Sequence, residues 1–184
     1  MTKFRGFIAI EVDSFPKIIE LENEIKKSGA PLKLVEPQNI HITLKFLGDT
    51  DENLIGKIED ILKESVSDIK PFEIILKGAG VFPNQNYIKV MWIGIENTEQ
   101  LGKIANKIDE QISGLGFDRE KRRFSAHLTI ARVKSAKNKD NLIQIIEKYK
   151  EIEFGRITVH SIKLKQSELT PKGPIYTTLK EVKF

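Results

Sequence analysis

The chain has 184 residues, of which 40% are hydrophobic and 30% charged, a balance that yields a soluble folded core and excludes disorder and membrane spans. It has no cysteine, which rules out disulfides and thiolate metal sites and points to the cytoplasm, and its net charge of +4 favours an anionic partner. From the N-terminus, Arg5 to Val12 alternates as a strand rather than a signal peptide. Pro16 to Lys27 has helical spacing at Ile18, Leu21 and Ile25, with Pro16 at its start and Gly29 as a stop. Ile40 to Leu47 reads as a strand, and Asp51 to Val66 as a helix with Leu54, Ile58, Ile61 and Leu62 on its apolar face. Phe72 to Phe82 and Tyr87 to Ile95 are two strands joined by the turn sequence P-N-Q-N. Thr98 to Ile112 is a helix, Ser125 to Val133 a strand and Asp140 to Tyr149 a helix. Glu153 to Lys165 and Ile175 to Lys183 are strands on either side of T-P-K-G-P.

The order of elements repeats. F-I-A-I-E at Phe7 to Glu11 matches W-I-G-I-E at Trp92 to Glu96, a shift of 85 residues. H-I-T-L at His41 matches H-L-T-I at His127, a shift of 86. This predicts an α+β fold of two duplicated halves, near 1–85 and 86–184, forming one bilobal domain. Each lobe would be an antiparallel sheet with helices outside, the two related by a pseudo-twofold axis around a central cleft. Strands exchanged between the lobes would separate the spatial boundary from the sequence midpoint.

Two of the chain's three histidines therefore occupy one His-x-Thr-x frame. Residues i and i+2 of a strand share a face, so His41 projects with Thr43, and His127 with Thr129. Ile40, Ile42, Leu44 and Phe46 then point to the core, as do Leu128 and Ile130. An imidazole titrates at about pH 6.5, so one ring can accept a proton while the other donates one. Two such rings across a groove suit phosphodiester cleavage, with the threonine hydroxyls holding the non-bridging phosphate oxygens. The chemistry calls for no cofactor and no metal. His160, in T-V-H-S-I, reads as structural.

These residues resemble the 2H phosphoesterases, and within them the RNA 2′,3′-cyclic phosphodiesterases, also called 2′-5′ RNA ligases. The resemblance rests on R-G-F-I-A-I, H-I-T-L-K-F-L-G, G-V-F-P with V-M-W-I-G, F-S-A-H-L-T-I-A-R and L-K-Q-S-E-L-T-P-K-G-P-I-Y. It departs from the family at Tyr87, Ile88 and Lys89, where proline and arginine are frequent, and at Ala126, where proline is frequent. The resemblance implies hydrolysis of a terminal 2′,3′-cyclic phosphate to a 2′-phosphomonoester. It casts His41 as proton donor, His127 as proton acceptor, and Thr43 and Thr129 as phosphate holders. The implied partner is RNA with a cyclic phosphate end, tRNA fragments included, with no membrane and no obligate protein partner. The alternatives are 2′-5′ joining of RNA ends by the same residues, and a non-catalytic RNA- or nucleotide-binding module.

Further candidate RNA contacts are Lys45, on the predicted face of His41, and Arg119, Arg122 and Arg123 in the basic run before His127. Tyr176 is another. Arg132 alternates away from His127, which assigns it a structural role unless the strand bulges. Phe46 and Phe124 are expected in the core.

Overall fold

The computed structural model describes residues 1–184. In chain order it runs β1 (Lys3–Glu11), α1 (Pro16–Lys27), β2 (Leu32–Leu34), β3 (His41–Asp51), α2 (Ile55–Ser65), β4 (Phe72–Asn84) and β5 (Tyr87–Glu96). There follow α3 (Glu99–Ile112), β6 (His127–Val133), α4 (Lys139–Tyr149), β7 (Glu153–Val159), β8 (Ser161–Thr170) and β9 (Gly173–Lys183).

Local chemistry explains the boundaries. At the start of α1, Pro16 lacks an N–H where the helix has no use for one. Ile18, Leu21 and Ile25 form its fully buried stripe, and Lys26 and Lys27 face the negative end of its dipole. Gly29, at φ +72°, then turns the chain. Between β4 and β5 the Asn84 side chain accepts hydrogen bonds from the backbone N–H groups of Asn86 and Tyr87, closing the hairpin.

Two expectations need correction. The predicted single strand Glu153 to Lys165 is broken at exposed His160 into β7 and β8, which lie in different sheets. The predicted helix from Asp51 begins at Ile55, because Asp51 still pairs with Lys3 as the end of β3, and Glu52–Leu54 form a 3₁₀ turn. β2, three residues long, is too short to show a period.

The strands form two antiparallel sheets, ordered β3-β1-β8-β9 and β2-β6-β5-β4-β7. Helices α2 and α3 back the first, and α1 and α4 the second. Neither sheet is drawn from one half of the sequence. β4 crosses into the second sheet beside β5, and β8 and β9 return to complete the first beside β1. One apolar cluster spans both lobes, from Ile8, Ile42 and Leu164 to Ile93, Leu128 and Ile130. The faces turned from the helices meet at β3 and β6, which approach each other across the cleft.

Both of these strands carry a bulge at the same place. On β3, Thr43 pairs with Ala9 and Lys45 with Ile8, so Leu44 is the extra residue. On β6, Thr129 pairs with Trp92 and Ala131 with Met91, so Ile130 is extra. After a bulge, the alternation of faces reverses.

Candidate active site

The two motifs meet in a cleft of about 440 Å³ whose walls include His41, Thr43, His127, Thr129, Arg132 and Tyr176. His41 Nδ1 lies 2.7 Å from the carbonyl of Asn39, and His127 Nδ1 lies 2.9 Å from the carbonyl of Ser125. A carbonyl can only accept, so each Nδ1 carries a proton and donates it. The neutral ring must then use Nε2 as its basic nitrogen. In both halves the backbone two residues before the histidine thus fixes the same tautomer.

The surroundings of the two rings differ. His41 Nε2 is 3.0 Å from Thr43 Oγ1, which donates to the neutral ring. Phe7 lies 5.0 Å from the His41 ring by centroid, and Tyr176 stands edge-on at 5.4 Å. Burial pushes the His41 imidazolium below the ordinary histidine pKa. The Asn39 carbonyl and Glu11 oppose this shift, while Lys165 and Arg132 add to it. Glu11 pairs with His41 across the β1–β3 ladder and forms ion pairs with Lys163 and buried Lys165. Burial would raise the Glu11 carboxyl, but the two ammonium groups hold it below its usual value. Burial also raises the Tyr176 phenol.

His127 meets the edge of Phe82 at 5.1 Å, and Phe82 in turn lies 5.2 Å from Trp92. Trp92 lies flat against Gly80, where any side chain would collide with the indole. This close approach carries the aromatic support under the second motif.

The hairpin turn between β8 and β9 is fastened by two side chains, one from β2 of the other sheet and one from the segment that leads into β3. Lys33 Nζ donates to the Lys172 carbonyl and Asn39 Nδ2 to the Pro174 carbonyl, each at 3.1 Å. Asn39 therefore holds the hairpin with its side chain and His41 with its carbonyl. Tyr176 stands on this hairpin and lines the cleft.

The bulges correct the remaining assignments. Lys45 does not share the face of His41: it turns inward and is 4% exposed. Its ammonium donates to Asp109 Oδ1 and the Asp118 carbonyl, both at 2.7 Å, and to Glu120 Oε1 at 3.4 Å. Burial would raise the Asp109 carboxyl, but Lys45, the Glu120 N–H and Arg119 hold it low. Lys45 thus anchors the basic run and is not a cleft cation. Phe46 turns outward, 48% exposed, instead of entering the core, whereas Phe124 packs against it.

Arg119 pairs with Asp109 at 2.8 Å, and it and Arg122 border a separate depression beside the cleft. Exposed Arg123 lies outside the cleft lining too. Conversely, Arg132 faces the cleft, because the Ile130 bulge restores it to the side of His127 and Thr129. The consecutive apolar pair Ile130-Ala131, both fully buried, is the sequence signal of that bulge.

The family model of the AKAP7 2′5′ RNA ligase-like domain matches residues 7–184. The chain belongs to the 2H phosphoesterase family. It is 47% identical to the RNA 2′,3′-cyclic phosphodiesterase of Methanocaldococcus jannaschii over 179 residues, covering 96% of this chain and 99% of that one. It is 40% identical to the RNA 2′,3′-cyclic phosphodiesterase of Methanothermobacter thermautotrophicus, covering 96% and 97%. The crystal structure of TT0787 of Thermus thermophilus superposes with a TM-score of 0.80 at 25% identity, covering 97% of each chain. The two antiparallel sheets around one cleft are therefore the fold of this family. No helix is long and apolar enough to cross a membrane.

Proposed function

We propose that this 2H phosphoesterase hydrolyses the 2′,3′-cyclic phosphate at RNA ends to a 2′-phosphomonoester. The observation that carries the reading is the matched pair of histidines, each with Nδ1 tied to a carbonyl and a threonine beside it in one cleft. The cyclic phosphate sits between the rings, its non-bridging oxygens held by the Thr43 and Thr129 hydroxyls and the Arg132 guanidinium. His127 Nε2 takes a proton from water as the water oxygen bonds to phosphorus. The bond from phosphorus to the 3′ oxygen breaks, and protonated His41 Nε2 gives that oxygen its proton. The products are a free 3′-hydroxyl and a 2′-phosphate, and proton exchange with solvent resets both rings.

The donor role of His41 is the one the family resemblance implies, and burial lowers its pKa, so its protonated form is favoured toward acid pH. With the 5′-hydroxyl of a second RNA in place of water, the same proton transfers would join the two ends: that oxygen bonds to phosphorus as the bond to the 3′ oxygen breaks, leaving a 2′-5′ link and a free 3′-hydroxyl, the kind of joining named in the matched family's description. RNA fragments with cyclic ends, tRNA halves among them, are the proposed substrates, met in the cytoplasm. The test is incubation with a nucleoside 2′,3′-cyclic phosphate in the presence of EDTA. The expected product is the 2′-phosphate; no turnover, or a 3′-phosphate, overturns the assignment.

A further inference from the structure

Beyond Thr43 the cleft opens into a second arm, floored by the first sheet and lined by Arg5, Phe46, Arg132, Ser167, Leu169 and Tyr176. Three features set this arm apart from ordinary surface. Phe46 exposes about half of a large apolar ring, at 48%, on a strand whose neighbours Leu44, Lys45 and Leu47 are all buried. The Arg5 guanidinium lies over that ring, 5.1 Å from its centroid. Neither Arg5 nor Arg132 has a carboxylate partner; the fold's arginine ion pairs belong to Arg119 and Arg156. A half-exposed aromatic ring beside two guanidinium groups without carboxylate partners is the chemistry that receives a base and its phosphate.

The arm also has a direction. Thr43 lies opposite Ala9 and Phe46 opposite Phe7, two residues further along β1, so Phe46 stands roughly 7 Å along the sheet from the phosphate holder. That is the reach of one extended nucleotide. Phe46 further borders the adjoining depression that carries Lys121 and Arg122, so the arm continues onto basic surface.

Taking the hydrolase reading as given, we infer that the Phe46–Arg5 arm is a subsite for the penultimate nucleotide of the RNA. Its base stacks on Phe46. The phosphate that links it to the terminal nucleoside lies between Arg5 and Arg132, and the upstream strand leaves toward Lys121 and Arg122. The terminal nucleoside occupies the main cleft toward Lys33 and Glu36. The enzyme would then prefer a dinucleotide ending in a cyclic phosphate over the cyclic mononucleotide.

The experiment compares kcat/KM for adenosine 2′,3′-cyclic phosphate and for the corresponding adenylyl dinucleotide, in the parent, Phe46→Leu and Arg5→Gln proteins. The expected result is a parent preference for the dinucleotide, carried by KM. That preference shrinks roughly 5- to 150-fold in Phe46→Leu, the span of one base–aromatic stack. A parent without the preference, or an equal fall on both substrates in Phe46→Leu, overturns the subsite while leaving the hydrolase reading intact. Titration with the dinucleotide 2′-phosphate product reads the subsite without turnover. If no substrate is cleaved yet the product binds the parent more tightly than Phe46→Leu, the subsite stands and the hydrolase reading falls. Equal product binding by the two proteins overturns the subsite.

Discussion

On β3, the ring of His41 is enclosed by Phe7 and Tyr176, its Nε2 engaged by Thr43 and its proton affinity lowered by burial. On β6, the ring of His127 stands against the edge of Phe82, and the Thr129 hydroxyl takes no partner from the protein. The backbone of the two half-sites is nonetheless the same: a carbonyl two residues before the histidine, a threonine two after it, and a bulge beyond the threonine. Five residues after each histidine, that bulge delivers a side chain to the cleft. It is Phe46 in one half and Arg132 in the other. Four residues after, it buries a side chain, Lys45 in one half and Ala131 in the other. The scaffold fixes which positions face the cleft, and the residues placed there decide whether a half-site offers a ring or a charge.

The strongest test of this comparison removes the features the halves share. His41→Ala and His127→Ala should each lower kcat by roughly 10²- to 10⁴-fold, the usual contribution of one positioned acid or base. Circular dichroism should show the fold retained. Full activity in either variant would end the two-histidine mechanism. Next comes the charge that only the second half supplies. Arg132→Met should lower kcat/KM by roughly 10²-fold, as for loss of one positioned donor to a reacting oxyanion. An unchanged rate would return Arg132 to a structural role.

The two threonines separate the half-sites more finely. Thr43→Val and Thr129→Val each remove one neutral hydrogen bond to phosphate, for a loss of roughly tenfold. Thr43→Val should also shift the pH profile, because Thr43 touches His41 Nε2, whereas Thr129→Val should lower the rate without that shift. Identical profiles in the two variants would erase the asymmetry.

The smallest effect expected is a displacement along the pH axis. As proton donor, His41 must be protonated in the free enzyme, so kcat/KM falls as pH rises through its pKa. Burial, with Lys165 and Arg132, places that alkaline limb below the ordinary histidine value of about 6.5. Lys165→Gln removes a cation that opposes protonation and frees Glu11, which favours it, so the limb should move to higher pH. A limb that stays in place would separate the buried pair from the donor.

The histidines and threonines were legible because a strand's period of two places them without further information. The α1 boundaries were legible because Pro16 and Gly29 mark both ends. Arg132, Phe46 and Lys45 were not, because one inserted residue on each strand reverses every face that follows, and bulges leave little trace in composition. The break at His160 is marked only by a slip of phase: apolar alternation runs through Ile157 and Val159 and resumes out of step at Ile162 and Leu164, where the chain changes sheets. Which sheet a strand joins is decided by packing between lobes, which a local pattern does not contain.

The return of β8 and β9 to the first sheet also has a consequence for synthesis. A growing chain emerges from the ribosome N-terminus first, so His41 is made early, while Lys165 and Tyr176 follow more than 120 residues later. Until they arrive, β1 is an open edge and the His41 ring lacks one aromatic wall. His41 therefore waits for residues translated more than 120 positions after it, and a nascent chain cannot complete the site before β8 and β9 have emerged.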